Sequence, residues 1–259
     1  MPQLTHAQIS AAMSGLAPML QGTQHEHFFR EHEPRYRFVR GLVGGPPRPG
    51  ARLLDAGASP GHVSALCQSL GWEVAAVDRF PRQAFPPRTG APHLNLFEAQ
   101  GIGAVEMDIT AGPLPFADGV FDAVLFNETL EHLVGSPMGA MKEFARVLAP
   151  GGRLTLTTPN VASLRNRAAF VMGRNIYTNL ETAINVHPYK CHNREYTLAE
   201  AAELVRRAGL RPVRAGRANV GPPPRDAFHA AARSLYYAAT WLWPPGRSMI
   251  FVVAEKPGA

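Results

Sequence analysis

The chain has 259 residues, 46% of them hydrophobic and 18% charged, and its 26 basic side chains against 20 acidic ones give a formal charge of +6. That apolar share excludes a disordered chain, and the length implies one α/β domain, with or without an insertion, whose core needs no staples. Two cysteines, Cys67 and Cys191, exclude a disulfide framework and lack the paired spacing of a zinc knuckle.

No run approaches the ~18 apolar residues of a membrane span. Met1-Pro2-Gln3 opens no basic-then-apolar segment of the signal-peptide kind. A cytoplasmic protein without stable membrane insertion is expected. The basic excess is nearly all arginine, Lys142, Lys190 and Lys256 being the lysines, and it is scattered. Mild clusters occur at Arg30/Arg35/Arg37/Arg40 and at Arg206/Arg207/Arg211/Arg214/Arg217. Scattering of this kind describes solvated faces better than a phosphate track, so nucleic acid is not the expected partner.

From Thr5 to Val43 apolar residues recur at helical spacing, as in Ile9, Met13, Leu16 and Leu20, until Gly44-Gly45-Pro46-Pro47 ends the pattern. This predicts an N-terminal helical extension, residues 1–48, ahead of a main domain over 49–259. Arg52-Leu53-Leu54 reads as a first strand, Gly61 to Leu70 as a helix and Glu73 to Val77 as a second strand. A Pro-rich loop follows from Ala84 to Ala91. Val105-Glu106-Met107 and Phe121 to Phe126 read as the third and fourth strands. The helix Met138 to Leu148 is expected to stop at Pro150-Gly151-Gly152, before a fifth strand from Arg153 to Thr158. Strands alternating with helices imply right-handed βαβ units and a parallel sheet.

Residues 161–197 break that rhythm and read as an inserted cap. Leu198 to Ala208 is a helix with Thr197 as N-cap and Glu200 in its first turn, closed by Gly209. Arg211 to Arg217 and Met249 to Ala254 complete the strands, separated by a helix from Asp226 to Trp241. For Leu235 to Trp243 the plainer reading is a packed helix covering the sheet, the other a helix that dips into a membrane surface. The sequence has no internal repeat.

The stretch Leu53-Leu54-Asp55-Ala56-Gly57-Ala58-Ser59-Pro60-Gly61-His62 carries most of the chemistry. A strand runs into a tight glycine loop and a helix begins at once, so small residues admit a ligand and unpaired helix amides face it. Asp78 ends the second strand 21 residues after Gly57, where a carboxylate can hold both hydroxyls of a ribose. A dinucleotide fingerprint would need glycine at Ser59 and His62, and a phosphate-binding P-loop would need a Lys-Ser/Thr pair that is absent.

Asp55-x-Gly57-x-x-x-Gly61, with Asp78, Asp108-Ile109, Phe121-Asp122-Ala123-Val124 and Leu148-x-Pro150-Gly151-Gly152, resembles the class I S-adenosylmethionine-dependent methyltransferases over about residues 50 to 160. The resemblance implies a Rossmann-like α/β fold, a seven-stranded mostly parallel sheet whose last strand is antiparallel, here with an N-terminal helical lid and an inserted cap. It also implies S-adenosyl-L-methionine as cofactor. Asp55, Gly57 and Gly61 would line its methionine part, Asp78 its ribose with Arg79 alongside, Asp108 and Ile109 its adenine, and Phe126-Asn127 its sulfonium. Ser59-Pro60 departs from the family, which has a glycine at Ser59, and fits only a backbone with φ below zero there.

After the fourth strand comes Asn127-Glu128-Thr129-Leu130-Glu131-His132-Leu133. If this segment is helical, Glu128, Glu131 and His132 lie at i, i+3 and i+4 on one face. With His192 downstream they are candidate ligands for a divalent metal ion, and mixed Glu/His ligands suit Mn, Fe, Co or Zn at least as well as Mg. The E-x-x-E-H element with a later histidine resembles the small-RNA 2′-O-methyltransferases, and the first element alone is similar to ubiquinone-biosynthesis O-methyltransferases. Three readings stay open: a metal site, metal-free catalysis with His132 as general base beside Glu128 and His192, and a structural role. For His25, His27 and His32, solvent exposure or packing within the lid is expected ahead of a second metal cluster.

Arg165, Arg167, Arg174, Tyr177, His187, Tyr189 and Arg194 in the cap suit a polar, anionic or sugar-bearing substrate. Val186-His187-Pro188-Tyr189 with the following His192-x-Arg194-Glu195-Tyr196-Thr197 is similar to bacterial polysaccharide and secondary-metabolite methyltransferases. The expected activity is methylation of a hydroxyl on a small polar or glycosylated molecule. The alternatives are an RNA ribose 2′-O-methyltransferase and a non-catalytic partner that binds the cofactor; the oligomeric state is not legible.

Overall fold

Continuous apolar runs become central strands, as a sheet covered on both faces requires. A computed structural model describes residues 1–23, 25–79, 95–185 and 191–258. Its strands are β1 (Arg52–Ala56), β2 (Glu73–Asp78), β3 (Gly103–Glu106), β4 (Phe121–Asn127), β5 (Leu148–Pro159), β6 (Arg211–Ala218) and β7 (Met249–Glu255). They form one seven-stranded sheet in the order β3-β2-β1-β4-β5-β7-β6. The pairs from β3 to β5 are parallel, and β7 runs antiparallel to both β5 and β6. The strand order reverses between β1 and β4, which opens a crevice beyond their carboxyl ends. The Rossmann-like expectation is met.

Each face of the sheet buries its own apolar cluster. On one, α1 (His6–Leu20) and α2 (His25–Val43) pack with α3 (His62–Ser69), joining Leu16, Leu20, Tyr36 and Val39 to Leu53 and Leu66. On the other, α5 (Met138–Val147) and α8 (Leu198–Arg207) cover the strands through Met141, Phe144 and Val205. Thr197 and Glu200 form the capping box at the start of α8, as their spacing predicts. A short α4 (Leu96–Ala99) precedes β3, and the Pro-rich loop Ala84 to Ala91 lies outside the described residues.

Two strand boundaries differ from expectation. β3 starts and ends earlier than Val105–Met107, because Ala75 to Asp78 of β2 pair with Gly103 to Glu106. Pro150-Gly151-Gly152 does not stop the chain but lies inside β5. Leu148 pairs with Phe121, the register then shifts, and Gly151 donates its amide to the Lys256 carbonyl at 2.9 Å. Gly152 fits there because an added Cβ would meet the Ala149 carbonyl oxygen at 2.8 Å.

The cap carries α6 (Leu164–Val171) and α7 (Leu180–Asn185), neither of which buries a residue completely. The helix between β6 and β7, α9 (Ala227–Leu242), does not cover the sheet: Thr240 is its one buried residue. It touches the molecule mainly through the turn Pro244–Gly246, where the Tyr236 hydroxyl donates to the Gly246 carbonyl at 2.8 Å. Among the described residues no helix is long and apolar enough to cross a membrane.

Candidate active site

The loop after β1 makes a cradle because two of its residues adopt a backbone that only glycine takes cheaply. Gly57 has φ 77° and Gly61, the N-cap of α3, φ 93°. Among the described residues Glu128 is the one non-glycine with positive φ, so Ser59-Pro60 keeps the negative φ that its sequence demands. At Gly57 a Cβ would collide with the Thr129 side chain, so the loop and the segment after β4 are in direct contact. Gly61 is set behind the loop, against the Phe97 ring.

Asp78 fastens this loop to the end of β2. Its Oδ2 accepts the Ser59 amide at 2.7 Å and its Oδ1 the Arg79 amide at 2.6 Å. Asp55 is buried and accepts from the Ser64 hydroxyl; burial, with Asp78 nearby, pushes its carboxyl up to about 7. Asp108 folds into a turn around the Thr110 amide and hydroxyl, and its Oδ2 lies 3.9 Å from Arg79 Nε. Asn127 Oδ1 accepts the Thr157 hydroxyl at 2.6 Å at the end of β4. Asp55, Gly57, Asp78, Arg79, Asp108, Ile109 and Asn127 line one cavity of about 920 Å³. That is ample for a nucleoside with an amino-acid tail, small-molecule sites being roughly 300–1,000 Å³.

Beyond Asn127 the segment is not the helical turn on which the shared face depended. Glu128 has φ 49°, and Leu130–His132 is a single 3₁₀ turn. Glu131, His132 and His192 come together, with one donor atom of each inside a 4.8 Å group. Glu128 stands outside that group. Its Oε2 lies 3.4 Å from Arg35 Nη1, and its Oε1, like Arg35 Nε, is buried without a hydrogen-bond partner.

The three clustered side chains are held by their outer atoms. His132 Nδ1 lies 3.0 Å from the Cys191 carbonyl, which can only accept, so Nδ1 carries the proton and Nε2 the lone pair. His192 Nδ1 faces Glu195 Oε1 at 2.8 Å in the same sense. The two rings meet edge to face with centroids 4.9 Å apart. Glu131 accepts from the Thr158 hydroxyl at 2.9 Å. Burial, then the charge of Glu128, raises the Glu131 carboxyl above the usual range. Burial lowers His132, whereas the Glu195 hydrogen bond raises His192.

The roof of the cavity comes from the N-terminal extension. Phe28, His32, Arg35 and Tyr36, one stripe of α2, line it together with His62 of α3. His62 is fully buried: its Nδ1 meets the Tyr36 hydroxyl at 2.8 Å and its Nε2 meets His25 Nδ1 at 3.1 Å. Desolvation, then the neighbouring histidines, keeps His62 neutral far below its ordinary range. His32 stacks on Phe28 and bonds its carbonyl, while His27 is exposed, so the lid histidines form no metal cluster. Sequence reasoning missed Arg35, Tyr36 and His62. The available signal was the i, i+4, i+7, i+8 spacing of Phe28, His32, Arg35 and Tyr36.

The cap arginines do not reach the cavity. Arg167 bonds the Ala162 carbonyl and lies over the Trp243 ring, and Arg194 pairs with Glu200. Arg165, Arg174 and Tyr177 are exposed and absent from its lining, and His187 and Tyr189 lie outside the described residues. Among the described residues of that lining, six are acidic, Asp55, Asp78, Glu106, Asp108, Glu128 and Glu131, and two are arginines, Arg35 and Arg79. Burial raises Asp55 and Glu131, and the other four carboxyls still outnumber the two arginines.

The profile of the methyltransferase domain family matches residues 26–215. The ubiquinone biosynthesis O-methyltransferase of Cereibacter sphaeroides (strain KD131 / KCTC 12085) is 32% identical over 178 residues, 68% of this chain and 66% of that protein. The chain thus spans just under two thirds of that relative's length. A SAM dependent methyltransferase from Archaeoglobus fulgidus has the same fold, with TM-score 0.57 and 17% identity over 90% of this chain and 97% of that one. So does the 1,6-didemethyltoxoflavin-N1-methyltransferase of Burkholderia thailandensis, solved with 1,6-didemethyltoxoflavin and S-adenosylhomocysteine, with TM-score 0.55 and 20% identity over 99% and 92%. The family match covers well over half of the sequence and includes every strand up to β6, and the chain therefore belongs to the class I S-adenosylmethionine-dependent methyltransferases.

Proposed function

We propose that the protein methylates a hydroxyl of a small polar acceptor, a sugar or a polyhydroxylated natural product, at the Glu131/His132/His192 end of the cavity. The observation that carries this reading is the close grouping of those three donors at the end of β4, on the same cavity as the Gly57 cradle. The cradle fits the cofactor of the family: Gly57 admits no side chain, and Asp78 ties the loop to the end of β2 on the wall of the same cavity. When bound there, S-adenosylmethionine supplies a methyl group on a sulfonium. The relative in Cereibacter sphaeroides is named for O-methylation, which favours oxygen as the nucleophile.

Attack by an oxygen requires that its proton leave and that it be fixed in line with the bond being broken. A carboxylate and two imidazoles, each with its Nδ1–H already committed, make a donor set for a divalent ion with positions left for substrate oxygens. Glu131, His132 and His192 would hold that ion, whose role is to lower the pKa of the acceptor's hydroxyl. Glu128 offers its unpartnered Oε1 to the same hydroxyl, and Arg35 orients Glu128 from α2. Without an ion, His132 Nε2 is the base: burial keeps it neutral, so it takes the hydroxyl proton as the oxygen gains the methyl group.

Chelation separates these two routes. The purified protein is dialysed against EDTA and assayed for S-adenosylhomocysteine release with catechol and simple glycosides as acceptors, while S-adenosylhomocysteine binding is followed by calorimetry. Turnover is expected to vanish and to return with Mn or Zn, with binding unchanged. Turnover that survives EDTA but is lost in His132→Ala assigns His132 as the base. The acidic lining argues against RNA as the acceptor, and salt-sensitive binding of short RNA at low ionic strength would bring RNA back as the acceptor.

A further inference from the structure

We infer that α9 and the cap together form a seat for an anionic bilayer surface, with α9 lying in the interface. Of fifteen exposed large apolar side chains among the described residues, twelve belong to the cap, to α9 and to Trp243, which follows it. On α9, Phe228, Leu235 and Leu242 repeat every seven residues, which keeps them on one stripe, with Trp241 beside it and Trp243 just beyond. Their exposure ranges from 40% at Trp243 to 78% at Phe228. Phe170, Val171, Leu180 and Ile184 extend the apolar surface on the cap, each more than 60% exposed. Exposed apolar area of this extent marks an interaction surface rather than ordinary scatter.

The two segments meet in space. Arg167 of α6 lies 5.1 Å above the Trp243 ring, the Leu164 side chain is packed against Gly246, and the charge of Arg165 reaches the Tyr236 phenol. Charge decides what occupies this surface. Residues 161–185 and 219–247 hold six arginines against Glu181 and Asp226, a surplus of four out of the +6 of the whole chain. A helix with tryptophan, phenylalanine and leucine on one side and arginine around it is the pattern of an interfacial helix on anionic lipid. A second copy of the chain would bring the same positive charge against itself.

The seat also adjoins the catalytic end. The His192 amide donates to Thr178 Oγ1 at 3.1 Å, and Cys191 Sγ lies 3.9 Å from the Thr182 carbonyl. A surface that holds the cap therefore holds the backbone under His192. The inference does not depend on the acceptor, nor on whether an ion binds.

The test uses the full chain and vesicles of phosphatidylcholine with and without phosphatidylglycerol. Sedimentation should show binding to the phosphatidylglycerol vesicles that weakens with salt and is slight on phosphatidylcholine alone. Trp241 and Trp243 are two of the chain's three tryptophans and the third, Trp72, is buried, so emission should shift to the blue on binding. Trp241→Ser with Leu242→Ser should abolish sedimentation while circular dichroism and S-adenosylhomocysteine binding stay unchanged. Arg225→Gln should lower partition about fivefold. Failure of the wild-type protein to bind phosphatidylglycerol vesicles at low salt overturns the inference. So does equal binding to both vesicle types, retention by the double variant, or a concentration-dependent dimer that the double variant disperses.

Discussion

Asp55 shows how one carboxyl can sit at odds with its surroundings. It is buried at the end of β1, helped by a single Ser64 hydroxyl and hindered by Asp78, and so keeps its proton up to about 7. The unfolded chain gives that proton up in the ordinary aspartate range. Between those limits the folded state binds more protons, so this residue lowers stability as pH rises from about 4 to about 7. Asp55→Asn keeps an acceptor for Ser64 and has nothing to ionise. Thermal unfolding of the ligand-free variant should therefore gain on wild type across that window and hold its lead above it. A difference that does not change with pH would show that Asp55 titrates normally. His192 is a contrasting case, since its Glu195 partner raises it and favours the charged ring.

Among the elements, the β1–α3 loop and the segment after β4 depend on each other. Gly57 sits at φ 77° directly beneath Thr129. Gly57→Ala should cost at least about 1–2 kcal/mol for the left-handed backbone alone, before the collision with Thr129 is added. A lowered unfolding midpoint and at least about tenfold weaker S-adenosylhomocysteine binding are expected, one decade being about 1.4 kcal/mol. Unchanged binding would mean that the loop has room after all. This loop was readable in the sequence because strand, glycines and helix start are consecutive and the aspartate closes the next strand. The segment from Glu128 to His132 was harder to read. Its chemistry was visible, but whether its side chains share a face depends on a positive φ at Glu128 that no residue spacing encodes. The pairing of Arg35 with Glu128 joins positions 93 residues apart, and only packing of α2 over β4 creates it. β5 was misjudged for a related reason: Pro150-Gly151-Gly152 has the composition of a turn, yet Lys256 supplies the hydrogen bonds that keep it in the strand. At α9 the aromatic run pointed to burial, and the structure leaves it exposed.

Taken whole, the molecule places its N-terminal layer as a wall of the active cavity rather than as an appendage. Ile9, Met13, Leu16 and Leu20 of α1 brace α2, whose opposite stripe faces the cavity. Leu20 is 1% exposed, and Leu20→Ala should cost about 2–5 kcal/mol, measured by denaturant unfolding. The same variant should bind S-adenosylhomocysteine more weakly, because the roof loses its support. A stability loss with affinity intact would separate the two layers. Tyr36, His62 and His25 make that roof directional. The central imidazole has both nitrogens engaged, so once the phenol donates to one of them, the proton on the other must point at His25, and reversal at either end forces reversal throughout. Three side chains from two elements thus behave as a single dipole with two orientations, and whichever is adopted sets the sign of the local field across that side of the chamber.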